Sequence, residues 1–288
     1  MKDASFARVL FVTIGLASCT GPRGAETTTA RTEASSTVTP MSSASSTSES
    51  PSVSEPIAST TPSASAALPP LPPASSASNP NGKKKYLVAA MGDSLTDAKS
   101  HGGKFLDYLR NKCPQSTFDN YGKGGQMVNQ MRKRFAHDVL GEGVDAADAP
   151  PKYTHVIVFG GVNDLCSDKT AKRTVPKIER DLSEMYRMAH EHQMKVVGIT
   201  VTPWGGFTKF YEPSRAATTK QLNAWLRKGP SRGEIDTVID GYALLSCDDP
   251  EKLCAEFVPP FKDGLHFNKM AHDKLGEALF QAVFSDCL

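Results

Sequence analysis

Five short apolar runs, each followed by a longer amphipathic stretch, constrain this chain more than any other feature. The runs are KYLVAAM (85–91), STFDNY (116–121), THVIVFG (154–160), KVVGITV (195–201) and DTVIDGY (236–242). Each has the length of a strand, and most are apolar at successive positions, as strands covered on both faces are. Between them lie GGKFLDYLRNKC, QMVNQMRKRFAHDVL, VPKIERDLSEMYRMAHEHQ and SRAATTKQLNAWLRK, with KMAHDKLGEALFQAVF closing the chain. Their apolar residues recur at helical spacing, with Phe105, Leu106 and Leu109 on one face of the first. Strand and helix in alternation predict an α/β domain with a parallel sheet covered by helices on both sides. In such a sheet ligands bind beyond the carboxyl ends of the strands.

The segments leaving those strand ends are GDSLTDAKSHGG, GKGGQ, GGVNDLC, TPWGGF and the stretch after VIDGY. They carry what acyl transfer requires. A serine hydroxyl becomes a nucleophile only when a base takes its proton, and the base must be held by an acceptor. Ser94 leaves the first strand, where Asp93, Ser94 and Thr96 could equally cap a helix. Asp263 and His266 stand three residues apart in FKDGLHFN, close enough for the carboxylate to bond one ring nitrogen while the other faces Ser94. The developing oxyanion needs donors, and the candidates are the Ser94 N–H at a helix start, the Gly125 N–H and the Asn163 side-chain amide.

GDSLT, NYGKGGQ, GGVND and DGLHFN, in this order across the domain, resemble the four sequence blocks of the SGNH (GDSL) hydrolase family. The resemblance implies a flavodoxin-like three-layer α/β/α sandwich on a five-stranded parallel sheet, with Ser94 as nucleophile, His266 as base and Asp263 as its orienting partner. It also implies an oxyanion hole of Ser94, Gly125 and Asn163. In the second block Gly122, Gly124 and Gly125 compete for one role, and Gln126 stands where many members have an acid. The G-x-S-x-G elbow of α/β-hydrolases is absent from the sequence.

The first third of the chain is a different material. Residues 1–19 have a short basic start, the apolar run VLFVTIGL and the ending LASC. That ending resembles the lipobox of bacterial lipoproteins, with Cys19 as the acylated residue, so 1–18 reads as a lipoprotein signal peptide. Residues 19–82 are rich in Ser, Thr, Ala and Pro and cannot bury enough apolar area to offset ordering entropy. They read as a disordered tether of average reach roughly 40–45 Å, leaving 83–288 as the hydrolase domain. The expected setting is the bacterial cell envelope, anchored through Cys19, or secretion; the membrane is touched only through that lipid.

With 33 basic and 31 acidic residues and a net charge of +2, no basic stripe recommends nucleic acid as a partner. Besides Cys19 there are five cysteines, none in a C-x-x-C pair. Cys247 and Cys254 bracket a short loop that is easy to close, and an odd number leaves one thiol over or pairs it between chains.

Other residues carry less. His190 and His192 lie two apart on a helix and point to different sides, which suits a solvated helix end. His272 reads as surface, and His155 opens a strand and reads as an edge residue. Asp93 and His101 are candidate substrate contacts. Trp204, Phe207, Phe210 and Tyr211 could wall a substrate pocket or cover the core. No metal and no cofactor is implied. The reading is a serine esterase acting through an acyl-enzyme on Ser94, removing short acyl groups, acetyl foremost, from carbohydrate or other envelope or extracellular small-molecule or polysaccharide esters. An acyltransferase passing the group to a sugar, a lysophospholipase or thioesterase, and a non-catalytic binding module are the alternatives.

Overall fold

A computed structural model describes residues 82–288. The signal peptide, Cys19 and, but for Gly82, the tether lie outside the described residues.

The five apolar runs form β1 (Leu87–Gly92), β2 (Thr117–Gly122), β3 (His155–Phe159), β4 (Lys195–Ile199) and β5 (Thr237–Ile239). They pair in the order β2-β1-β3-β4-β5, all parallel. Side chains on a strand alternate between faces, and the alternation divides each central strand between two cores. Val88, Ala90, Ile157, Phe159, Val197 and Ile199 enter one core; Ala89, Met91, Val156, Val158 and Val196 enter the other.

Helices α1 (Lys104–Lys112) and α8 (Lys269–Leu279) cover the first core with Phe105, Leu106, Leu109, Ala271, Leu275 and Leu279. Helices α2 (Val128–Asp138), α4 (Val175–Glu191) and α5 (Pro213–Arg227) cover the second. Helix α4 buries Ile178, Leu182, Met185 and Ala189, spaced four, three and four apart, which is one helical stripe. The three-layer sandwich on a five-stranded parallel sheet is therefore as expected. The strand order reverses between β1 and β3, which opens a crevice beyond their carboxyl ends.

Some elements depart from the sequence reading. No helix begins at Ser94: residues 93–97 form a turn in which the Asp93 carbonyl accepts from the N–H groups of Thr96 and Asp97, and α1 starts only at Lys104. GGVNDLC is not a loop but holds the short helix α3 (Val162–Cys166). Strand β5 stops at Ile239 because the Asp240 side chain accepts from the Ala243 N–H and starts α7 (Gly241–Leu245), after the single-turn α6 (Gly229–Arg232). His272 is not at the surface: it is 1% exposed, between the rings of Phe105 and Phe267. His155 opens the central strand β3, half-buried against Tyr86 and Phe284, and is not at a sheet edge. His190 and His192 do sit at the end of α4, His190 bonded to Asp236 at 2.9 Å.

Two disulfides join Cys113 to Cys287 and Cys247 to Cys254. The short loop closes as expected, and the long-range pair fixes the chain end to the end of α1. Cys166 is buried and belongs to neither.

Candidate active site

Beyond the β1 end, the turn at 93–97 presents Ser94, and the segment before α8 meets it. His266 Nε2 lies 2.9 Å from Ser94 Oγ, and His266 Nδ1 lies 2.6 Å from Asp263 Oδ2. The Asp263 carboxylate is fixed on its other oxygen, where Oδ1 accepts from the N–H groups of Leu265 and His266, both at 2.9 Å. Burial pushes this carboxyl up, but the hydrogen bonds from His266 and the Leu265 N–H outweigh it and hold Asp263 below the usual carboxylate range. An ionised Asp263 keeps the ring in the tautomer whose Nε2 accepts a proton.

The triad loop is held from behind. Gly264 adopts φ +70°, and a Cβ there would stand 2.3 Å from the Gly206 carbonyl carbon, so only glycine fits this approach. Gly205 in turn donates its N–H to the Glu251 carbonyl at 2.6 Å, in the hairpin closed by Cys247–Cys254. Downstream, Asn268 caps α8 by accepting from the Ala271 N–H.

The three competing glycines separate. Gly122 N–H donates to Asn120 Oδ1 at 2.8 Å and Gly124 N–H to Asp97 Oδ2 at 3.1 Å. Gly125, at φ +74°, has no such acceptor for its N–H among the described residues, and neither has Ser94. Asn163, 1% exposed, donates one amide hydrogen to the Gln126 carbonyl at 3.1 Å. Its second hydrogen remains, so three donors from three strand ends border the Ser94 hydroxyl's side of the sheet.

Around this centre the candidate pocket residues divide. Asp93 is fully buried; its Oδ1 accepts from the Leu95 N–H at 3.0 Å, while Oδ2 has no partner among the described residues. Burial pushes its carboxyl up to about 7, against the Leu95 hydrogen bond and the attraction of His266. Trp204 is also fully buried, its Nε1–H donating to Thr219 Oγ1 at 3.0 Å, so it packs the core and does not wall a pocket. Phe207, 9% exposed, packs on Phe210 in the same core. These aromatics follow β4, and Trp204 meets the ring of Tyr211 edge-on at 4.7 Å beside its α5 partner Thr219.

His101 reaches the site's rim through a residue the sequence reading passed over. Its ring is 6.1 Å from that of Phe261, which is 6.1 Å from that of His266. Phe261 opens FKDGLHFN, and an aromatic two residues before Asp263 is the available signal. Asp164, beside Asn163, was also missed. It is fully buried and accepts from the Val128 N–H at 2.8 Å and from Arg173 Nε at 2.6 Å. Burial pushes its carboxyl up in spite of both donors.

The model of the GDSL-like lipase/acylhydrolase family matches residues 90–274. No curated protein matches the sequence. Among solved structures, the chain is similar to a lipase/acylhydrolase from Enterococcus faecalis, with 21% identity over 69% of this chain and 96% of that one and a TM-score of 0.55. It is similar to a GDSL-like lipase from Bacteroides thetaiotaomicron, with 19% identity, 69% and 88% coverage and a TM-score of 0.53. A catalytic variant of an acetylxylan esterase from Geobacillus stearothermophilus matches at 14% identity, 68% and 93% coverage and a TM-score of 0.52. These likenesses show a shared fold.

Proposed function

Because this chain belongs to the GDSL-like lipase/acylhydrolase family, hydrolases of ester bonds, we propose that it is a serine esterase working through an acyl-enzyme on Ser94. The observation that carries this is the hydrogen-bonded line from Asp263 through His266 to Ser94 Oγ. Ser94 Oγ attacks the ester carbonyl and its proton passes to His266 Nε2. The carbonyl oxygen, now an anion, accepts from the Ser94 and Gly125 N–H groups and the Asn163 amide. As the C–O bond breaks, the proton moves from His266 to the leaving alcohol. Water then loses a proton to the same nitrogen, attacks the acyl carbon, and the acid departs as the proton returns to Ser94.

The preferred substrate is a short acyl ester, acetyl foremost, on a carbohydrate or another molecule of the envelope or exterior. Its support is the export pattern at the N-terminus together with two disulfides, which persist in oxidising compartments. Two of the structures similar in fold are acetyl xylan esterases, which accords with this reading. Hydrolysis of an aryl acetate and of acetylated oligosaccharides tests it, with the acylated Ser94 peptide sought by mass after a rapid acid quench. Turnover with no acyl adduct at Ser94, undiminished in Ser94→Ala, would end the assignment.

A further inference from the structure

The residue after Asn163 opens a ring of charges, buried except at the partly exposed Arg132. Asp164 Oδ1 accepts from Arg173 Nε at 2.6 Å, and Arg173 Nη2 donates to Asp181 Oδ2 at 2.7 Å. Asp181 Oδ1 accepts from Arg132 Nε at 3.0 Å. Arg132 lies one helical turn beyond Val128 on α2, and the Val128 N–H returns to Asp164 Oδ2 at 2.8 Å. Two carboxylates and two guanidiniums thus alternate around a closed circuit. Asp164, Arg173 and Asp181 are all less than a tenth exposed.

The circuit's position gives it a use. Helix α2 starts three residues after Gly125, and Asp164 directly follows Asn163, so the ring joins the two segments that carry the outer oxyanion donors. Those segments meet again where the Asn163 amide bonds the Gln126 carbonyl. A buried ion pair seldom adds net stability over apolar packing of the same volume. What apolar packing cannot supply is direction, and the planar guanidinium of Arg173 fixes the angle between two carboxylates through two of its N–H groups.

Resting on the proposed esterase reading, we infer that Arg173 and Asp164 are positioning residues, setting the spacing between the Asn163 amide and the Gly125 N–H. Neither touches substrate. Displacement of a catalytic donor by about 1 Å costs roughly 10²-fold in rate, so the spacing of these donors controls kcat.

The test is a double-mutant cycle in the full-length chain. Arg173→Met is expected to lower kcat on an aryl acetate about 10- to 100-fold with little change in KM. In an Asn163→Ala background, where the spacing no longer matters, the same change should cost no more than about threefold. Equal losses in both backgrounds, or no loss in either, would overturn the inference. If Arg173→Met fails to fold, Arg173→Lys keeps the charge but loses the planar fork, and the same pattern is expected at smaller size. The Asn163 side-chain amide resonances supply a readout independent of turnover. They should move in Arg173→Lys, and unmoved resonances would overturn the positioning role. Were the wild-type chain to hydrolyse no ester, the proposed function would fail while these resonances still reported on the ring.

Discussion

His266 Nε2 and Ser94 Oγ stand 2.9 Å apart although 172 residues of chain separate them. The sheet closes that distance: one residue leaves the end of β1, the other sits on the segment that leads into α8, and α8 packs beside α1 on the same face. Removing the hydroxyl should stop turnover without loosening the fold, because Ser94→Ala deletes one polar atom. Asp263→Asn should be nearly as severe, lowering kcat by about 10⁴-fold, since an amide holds the wrong tautomer of the ring. Steady-state hydrolysis of an aryl acetate beside thermal unfolding curves checks both.

Asn163 is the donor whose loss can be read most cleanly. Its side chain is buried and spends one hydrogen on the Gln126 carbonyl, so Asn163→Ala removes a preorganised donor without exposing apolar surface. We expect kcat to fall about 10²- to 10³-fold with KM nearly constant. A rise in KM at unchanged kcat would assign the amide to ground-state binding instead.

Much of this site was legible in the sequence because motifs on strand ends need only the fold to converge. Ser94, Asn163, Asp263 and His266 each follow or precede an element whose periodicity was plain, and parallel order did the rest. Residues defined by what packs on them were not legible. His272 reads as a polar residue of a terminal helix, and only the approach of Phe105 from α1 and of Phe267 buries it. Arg173 and Asp181 carry no signal in the sequence, because no periodicity reveals that Arg173 will bridge Asp164 and Asp181. Trp204 was equally suited to a pocket or a core until α5 supplied Thr219 as its partner. The Cys113–Cys287 pair spans 174 residues, and no spacing rule reaches that far.

His272 makes stability depend on acid. Burial, followed by the nearby positive charges of Lys104, His266 and Lys269, pushes its ring down from the ordinary 6.5 to about 3. The unfolded chain takes up this proton below about 6.5 while the folded one refuses it, so the contribution is complete above that pH and drains away as pH falls toward 3. The loss amounts to ~3 kcal/mol by pH 4. His155, pushed down to about 4 chiefly by burial, acts in the same direction over a narrower window. Denaturant unfolding at pH 7 and pH 4 should show a markedly smaller acid loss in His272→Phe than in the wild type.

Asp93 has the opposite sign. Its folded carboxyl stays protonated up to about 7, against an ordinary 3.8, because ionising it means burying a charge with one unpartnered oxygen. Its contribution is therefore complete below about 3.8 and is lost as pH rises through 7. Asp93→Asn, which cannot ionise, should gain stability relative to the wild type between pH 4 and pH 8. Identical pH profiles for the two proteins would show that the carboxyl is ionised in the folded state at no cost.

The long-range disulfide ties stability to the compartment in which the chain folds. Cys113 closes the end of α1 and Cys287 lies beyond α8, so the bond encloses the chain from β2 through α8 and leaves β1, the Ser94 turn and α1 outside the loop. Constraining so long a loop restricts the unfolded chain, and Cys113→Ser with Cys287→Ser should cost about 2–5 kcal/mol. Chains made in a reducing cytosol should show the same deficit, recovered on oxidation, whereas chains processed at an envelope should carry both disulfides and, at Cys19, a lipid. Intact mass of detergent-extracted protein measures all three modifications at once. Oxidised cysteines with an unmodified Cys19 would keep the export reading and remove the anchor; reduced cysteines with no lipid would remove both.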